Sequence, residues 1–408
     1  MTILPDAVGV QNLLGHGLLT MSRIILSTFV FCSFVVTGTA CDDKSKGDPS
    51  QTDAAFLDAG ESDGGEPDAG DPDGGDPDAG NGVHTPPLTV AELPAGPDDV
   101  IWLGPADTMD FQIAITEGPG DCVRLVFDSG DELFERLDLF EVSGCVDVGF
   151  GEFTRVEGEQ HKFRSSPSFV GDLLYFQVGS TLYASPTLYE LGADGERALP
   201  SVSGVDSTLS WPRFAPHHDG VALAFRDGNS MLRLALGDGP DDLGTPVLVH
   251  SEPGAMPVVA PFGASSTMLA YAFQYPVGHE PMVSFVVMGD GEVFGEPQRV
   301  TDSSPNVHDT ALVPRVDGGL DLYYIYPFGP SGFVLHRRSL SPDGTLGVEE
   351  RLTASTVGEP SKPSALRLES GRVLVAFSDI TERDPSTFVP IVQRVGVMLL
   401  AGEAPAPE

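Results

Sequence analysis

The chain is poor in cations. Lys and Arg total 22 against 60 Asp and Glu, a formal charge of −38 over 408 residues. Phosphate binding needs clustered Lys and Arg, so nucleic acid and anionic lipid surfaces are excluded as partners. The acidic exterior repels itself and favours a soluble, monomeric state. Cysteines are few: Cys32, Cys41, Cys122 and Cys145, with no Cys-x-x-Cys pair. A redox motif of that spacing is therefore excluded. The sequence lacks Gly-x-Ser-x-Gly, a phosphate loop and a dinucleotide fingerprint. No sustained helical period occurs beyond the N-terminus. The apolar run Ile24 to Val36 is too short for a comfortable membrane span.

What is abundant is turn chemistry. The 48 Gly and 35 Pro alternate with short apolar runs, which suits an all-β protein. One run returns six times: Val123–Phe127, Leu173–Phe176, Val221–Phe225, Met268–Phe273, Leu320–Tyr324 and Val373–Phe377. Its closing aromatics stand at 127, 176, 225, 273, 324 and 377, so the intervals are 49, 49, 48, 51 and 53 residues. An all-β period near 50 predicts a β-propeller. We expect six blades across residues 83–402, with five or seven as alternatives.

Each blade is expected to begin with an inner strand ahead of the repeated run. Prolines mark these starts at Pro167, Pro212, Pro257, Pro314 and Pro363, because Pro tolerates the exposed edge position of an inner strand. Asp194-Gly195, Asp238-Gly239, Asp290-Gly291 and Asp343-Gly344 supply turns between third and outer strands. The sixth blade lacks that turn. Val100–Leu103 is expected to provide its outer strand and close the circle, which removes two sheet edges. Within the first blade, Cys122 and Cys145 are expected to form a structural disulfide in an exported protein; two free thiols or a redox pair are the alternatives.

The third blade, Trp211-Pro212-Arg213-Phe214-Ala215-Pro216-His217-His218-Asp219-Gly220 before Val221–Phe225, resembles the repeat of TolB-like propellers, of the WD-repeat-like type. That resemblance covers roughly 107–400. It implies a rigid disc whose faces bind a protein, peptide or glycan.

The N-terminus reads as an address. Arg23, the apolar run and Thr37-Gly38-Thr39-Ala40-Cys41 have the layout of a secretory signal that starts at Met21 and ends at residue 40. Gly38-Thr39-Ala40-Cys41 resembles the bacterial lipobox, although Gly38 stands where that family usually has Leu. The resemblance implies that Cys41 is lipidated and anchors the protein in the cell envelope. The alternative is an ordinary signal peptide with Cys41 incidental. From Asp42 to Gly80 there are 13 acids and 2 lysines. Such an Asp/Gly/Pro/Ala-rich stretch buries too little to offset ordering entropy, so residues 41–82 read as a flexible tether. It resembles the acidic linkers of lipoproteins from myxobacteria and their relatives. Residues 403–408 read as a short disordered tail.

Candidate chemistry is sparse. Arg213, Arg315 and Arg367 lie near inner strands, where a triad could bind a carboxylate, but pairing with nearby acids is the simpler reading. Asp110, Asp206 and Asp309 precede inner strands, as inward carboxylates of a glycosidase would. The pairs His217-His218, His279-Glu280 and His308-Asp309 offer one metal ligand each at most, because neighbours on a strand point to opposite faces. Ser341-Pro342-Asp343-Gly344-Thr345 misplaces the Gly of a sialidase Asp-box and lacks its Trp. Trp211 and Tyr323-Tyr324 read as blade core. No residue is singled out as catalytic, cofactor-binding or metal-binding. The expected function is a non-enzymatic envelope lipoprotein that binds a protein, peptide or glycan. The alternative is a propeller-type carbohydrate hydrolase, which a channel holding inward carboxylates would favour over one plugged by apolar and small residues.

Overall fold

The computed structural model describes residues 85–402 except 105–108, 131–136, 159–162, 180–185, 205–208, 219, 274–282, 290–292, 301–307, 328–332 and 384–389. The chain divides into compact units Met1–Asn81 and Gly82–Glu408, and every described residue lies in the second. The signal segment, Cys41, the acidic tether and the 403–408 tail lie outside the described residues. So do Asp206, His279, Glu280 and the side chains of Asp110 and His308.

The fold is a β-propeller. Among the described residues the pairings group the strands into six antiparallel blades. Inner strands are Met109–Gly118, Phe163–Val170, Ser210–His217, the latter part of Val247–Phe262, His308–Pro314 and Glu359–Arg367. Each pairs with a strand that carries the repeated run, and this in turn pairs with a third strand. Every inner strand lies beside the next, and that of blade 6 lies beside that of blade 1, so the circle closes. Asp194-Gly195, Asp238-Gly239 and Asp343-Gly344 fall between third and outer strands; Asp290-Gly291 lies outside the described residues.

The apolar runs explain the packing. A second strand has a blade on each side, so both of its faces are covered and it carries no alternation. Successive side chains enter alternate cores. Phe127 packs in the core shared with blade 6, and Val126 in the core shared with blade 2. The same division recurs around the disc and gives six inter-blade cores. Cys122 and Cys145 are cross-strand partners in blade 1 and are joined by a disulfide.

Closure follows the sequence expectation. Ile101–Leu103 pairs antiparallel with the third strand of blade 6, Pro390–Leu400, with Trp102 opposite Gly396. The segment before it adds a strap that the sequence did not announce. Thr85 N donates to Phe150 O and Leu88 N to Val146 O in blade 1, Ala91 N to Leu399 O in blade 6, and Ala95 N to Leu352 O in blade 5. Leu88, Ala95, Val100 and Leu103 are buried along it.

Candidate functional site

One irregularity recurs near the start of every inner strand. The ladder slips between Asp110 and Ile113, Ser165 and Ser168, Ser210 and Arg213, Ala255 and Val258, His308 and Thr310, and Ser361 and Ser364. These are β-bulges, which twist a strand and re-aim a side chain. In five of the six, one bulge residue is left-handed: Ser166 (φ 57°), Trp211 (52°), Met256 (51°), Asp309 (46°) and Lys362 (48°). None is glycine, and each such conformation costs on the order of 1 kcal/mol or more, a strain that clusters at functional sites.

Register identifies equivalent positions. The first pairs past the bulges that enter the following inter-blade core are Ala114↔Val126, Ser168↔Tyr175, Arg213↔Ala224, Val258↔Ala270, Ala311↔Tyr323 and Ser364↔Ala376. Two residues earlier in each strand stand Gln112, Ser166, Trp211, Met256, Asp309 and Lys362. A repeated backbone device therefore presents six different side chains. Five of them, all but Ser166, line the central channel. Packing of a repeat would favour one residue type at such a position, and this diversity points to a binding mouth.

The prolines have a different role from the one the sequence suggested. Pro167, Pro212, Pro257 and Pro363 directly follow the left-handed residues, inside the bulge, where no ladder bond is made. Blade 5 departs: Pro314 ends its inner strand, and the bulge is made by Asp309-Thr310. Trp211 is likewise corrected. It is not blade core but a partly exposed residue of the channel wall, with the Arg226 guanidinium 5.0 Å from its ring centroid.

Charge is concentrated at this mouth. Lys362 Nζ lies 2.9 Å from Asp309 Oδ1 and 3.7 Å from Met256 Sδ. Asp128, buried on the second strand of blade 1, accepts from Gln112 N (2.6 Å) and Ser166 N (3.1 Å) and so ties the bulges of blades 1 and 2 together. Burial pushes its carboxyl above the usual range, against the pull of those amides and of Arg213 and Lys362. Arg213 Nη1 donates to Pro167 O (2.7 Å). Burial lowers its pKa, while the charges of Asp128 and Asp309 oppose that shift. The channel cavity holds about 170 Å³, room for on the order of ten waters, so it is not plugged.

The three arginines are not brought together. Arg315 directly follows the inner strand of blade 5 and Arg367 ends that of blade 6, and both pair with Asp321, at 3.4 and 2.9 Å. Only Arg213 faces the channel cavity. Asp309 is the candidate carboxylate that the structure places at the mouth. His217 and His218 lie at the opposite end of the inner strand of blade 3 and contact Thr267 Oγ1 and Ser266 O. Ser341 and Asp343 close an ordinary turn with Thr345. Tyr323 and Tyr324 are core, and the Tyr324 hydroxyl donates to Glu349. Among the described residues no three His, Cys, Asp or Glu side chains converge as a metal site.

Sequence comparison finds no matching family model and no matching curated protein. Structural comparison does find relatives in fold. A protein of unknown function from Dyadobacter fermentans superposes with a TM-score of 0.58 at 12% identity, over 75% of this chain and 98% of that one. The alpha-L-arabinanase of Penicillium chrysogenum gives 0.52 at 13%, over 73% and 96%. The GH93 alpha-L-arabinofuranosidase of Fusarium graminearum gives 0.54 at 10%, over 74% and 96%. At these identities the likeness establishes the propeller fold. It also corrects the expectation of a non-enzymatic binding module. The arabinanase and the arabinofuranosidase that share the fold are glycoside hydrolases, and the channel is an open mouth with an inward carboxylate.

Proposed function

We propose that this chain is a propeller-type glycoside hydrolase whose active site is the bulge-built mouth of the channel. The observation that carries the reading is the set of six different residues on one strained, repeated backbone device, with the carboxylate of Asp309 among them. In this reading Asp309 meets the glycosidic bond, with Lys362 Nζ 2.9 Å from its Oδ1. Trp211 offers an aromatic face to a sugar ring. Hydrolysis by paired carboxyls needs a second acid. Asp128 is buried behind the channel wall with both oxygens accepting backbone amides, so it positions the bulges of blades 1 and 2 and is not that acid. The likeness in fold to the arabinanase and the arabinofuranosidase supports a polysaccharide-derived substrate.

The site would work outside the cytoplasm. In this reading Cys41 carries the lipid and residues 42–82 form the tether, and the Cys122–Cys145 disulfide suits an oxidising compartment. Radiolabelled palmitate should enter the wild-type protein and not Cys41→Ser; equal labelling of both rejects the anchor.

The hydrolase reading is tested by sugar release from arabinan, arabino-oligosaccharides, xylan and pectic fragments. Turnover of at least one glycan that falls 100-fold or more in Asp309→Asn is expected, the usual scale for losing a positioned acid or base. Turnover that survives this substitution would move the chemistry elsewhere.

A further inference from the structure

Below the mouth, the second circle of channel residues is small except at one place. Its members are Ala114, Ser168, Val258, Ala311 and Ser364, and then Arg213. All six line the cavity. A guanidinium held inside protein normally pairs with a carboxylate, because desolvating a charge is costly. Among the described residues Arg213 feels the charges of Asp128 and Asp309 but makes contact with neither. Among the described residues its hydrogen bond is to Pro167 O through Nη1, and no carboxylate forms an ion pair with it. Asp309 is already held by Lys362 at 2.9 Å, and Asp128 by two backbone amides. The remaining donors of Arg213 therefore face a cavity that five small side chains leave open.

We propose that Arg213 is a carboxylate-binding subsite and that the substrate carries an acidic sugar, a uronic acid, seated with its carboxylate on this guanidinium. The inference rests on the hydrolase reading for the word substrate but not for the site itself. A planar fork in a confined space is matched to a carboxylate, which it can hold through two parallel hydrogen bonds. With the charge of Lys362 offset by Asp309, the guanidinium of Arg213 is the cation that faces the cavity inside a protein of net charge −38, so an acid is drawn to this point and not to the outer surface. The serines at positions 168 and 364 add hydroxyls at the same level.

The test is binding, measured by calorimetry on the mature protein. Galacturonate and its short oligomers are compared with galactose and arabinose, and a peptide with a free C-terminal carboxylate serves as control. The acid sugar should bind at least 10-fold more tightly than its neutral counterpart, the scale of one charge-assisted pair. Arg213→Gln should abolish the preference, and Arg213→Lys, which keeps charge but loses the fork, should retain only part of it. The wild-type comparison needs no variant, so misfolding of either leaves the proposal exposed. Equal binding of acid and neutral sugar, no binding of the acid, tighter binding of the peptide, or a preference that persists in Arg213→Gln would each overturn it. Turnover of neutral arabinan without uronate binding would overturn the subsite and leave the hydrolase reading. Uronate binding with no glycan hydrolysed would do the reverse.

Discussion

Closure of the circle by Ile101–Leu103 has a test in which the sign of the effect decides. Gly396 lies on the third strand of blade 6, opposite Trp102. A Cβ added there would lie 2.7 Å from the Trp102 ring, 3.0 Å from Val100 Cγ1 and 3.1 Å from Phe377. The indole cannot retreat freely. Phe377 meets it edge-on at 6.0 Å, and the Arg394 guanidinium lies 4.2 Å from its centroid. Overpacking of this kind costs about 1–3 kcal/mol. At roughly 2–4 °C per kcal/mol for a domain of this class, Gly396→Ala should lower Tm by about 2–12 °C in a calorimetric scan. Without the closing strand the same change would replace Gly by Ala within a strand, which stabilises by about 0.5–1 kcal/mol. A double-mutant cycle with Trp102→Ala isolates the contact: once the indole is gone, the Gly396→Ala penalty should shrink by half or more. A higher Tm for Gly396→Ala, or a penalty unchanged in the Trp102→Ala background, would refute the closure.

Other outcomes follow from charge and covalent structure. Arg164 is fully buried between blades 1 and 2, with Asp138 at 3.1 Å, Glu196 at 3.5 Å and Val156 O at 3.0 Å. Arg164→Met takes a buried guanidinium from Glu196 and from Asp138, which keeps Arg155, and should cost about 3 kcal/mol in urea unfolding, the lower end for breaking a buried pair. Opening the Cys122–Cys145 disulfide, a separation of 23 residues, should cost about 3 kcal/mol in the chain-entropy model, read as a Tm drop of the Cys122→Ser/Cys145→Ser pair. Asp379 is pushed up to about 6, first by burial. Its folded form therefore keeps a proton that the unfolded chain releases near pH 4, so stability falls as pH rises from about 4 to about 6. Asp379→Asn should flatten that part of the pH–stability curve, and an identical slope in the variant would count against the buried acid.

Legibility in the sequence followed the range of the interactions. The period of the apolar run was visible because each second strand is sandwiched between blades, and its composition alone records that. The closing strand was visible because blade 6 lacked an outer turn. The Cys122–Cys145 link was visible because two cysteines of an exported protein sat in one blade. The mouth was only half visible. X-Pro at 166–167, 211–212, 256–257 and 362–363 marked four bulges, but the left-handed φ before each proline depends on the register of a partner strand. Blade 5 has Asp309-Thr310 and no proline, so the sequence pattern settled on Pro314, four residues late. Trp211 read as core because a lone tryptophan beside an apolar strand has no signal that separates channel from core. Asp128, directly after Phe127, looked like the polar end of a strand, although it spans two bulges. The isolation of Arg213 among small residues appears only when six strands are laid in register.

The central claim is that the strained mouth is an active site, and the most direct measurement is glycan hydrolysis by wild-type protein and Asp309→Asn side by side, with thermal unfolding of both. The account predicts turnover of at least one glycan by the wild type, a loss of 100-fold or more in the variant, and a comparable Tm. Absence of turnover across neutral and acidic glycans by a folded wild-type protein, or equal turnover by the variant, would contradict it.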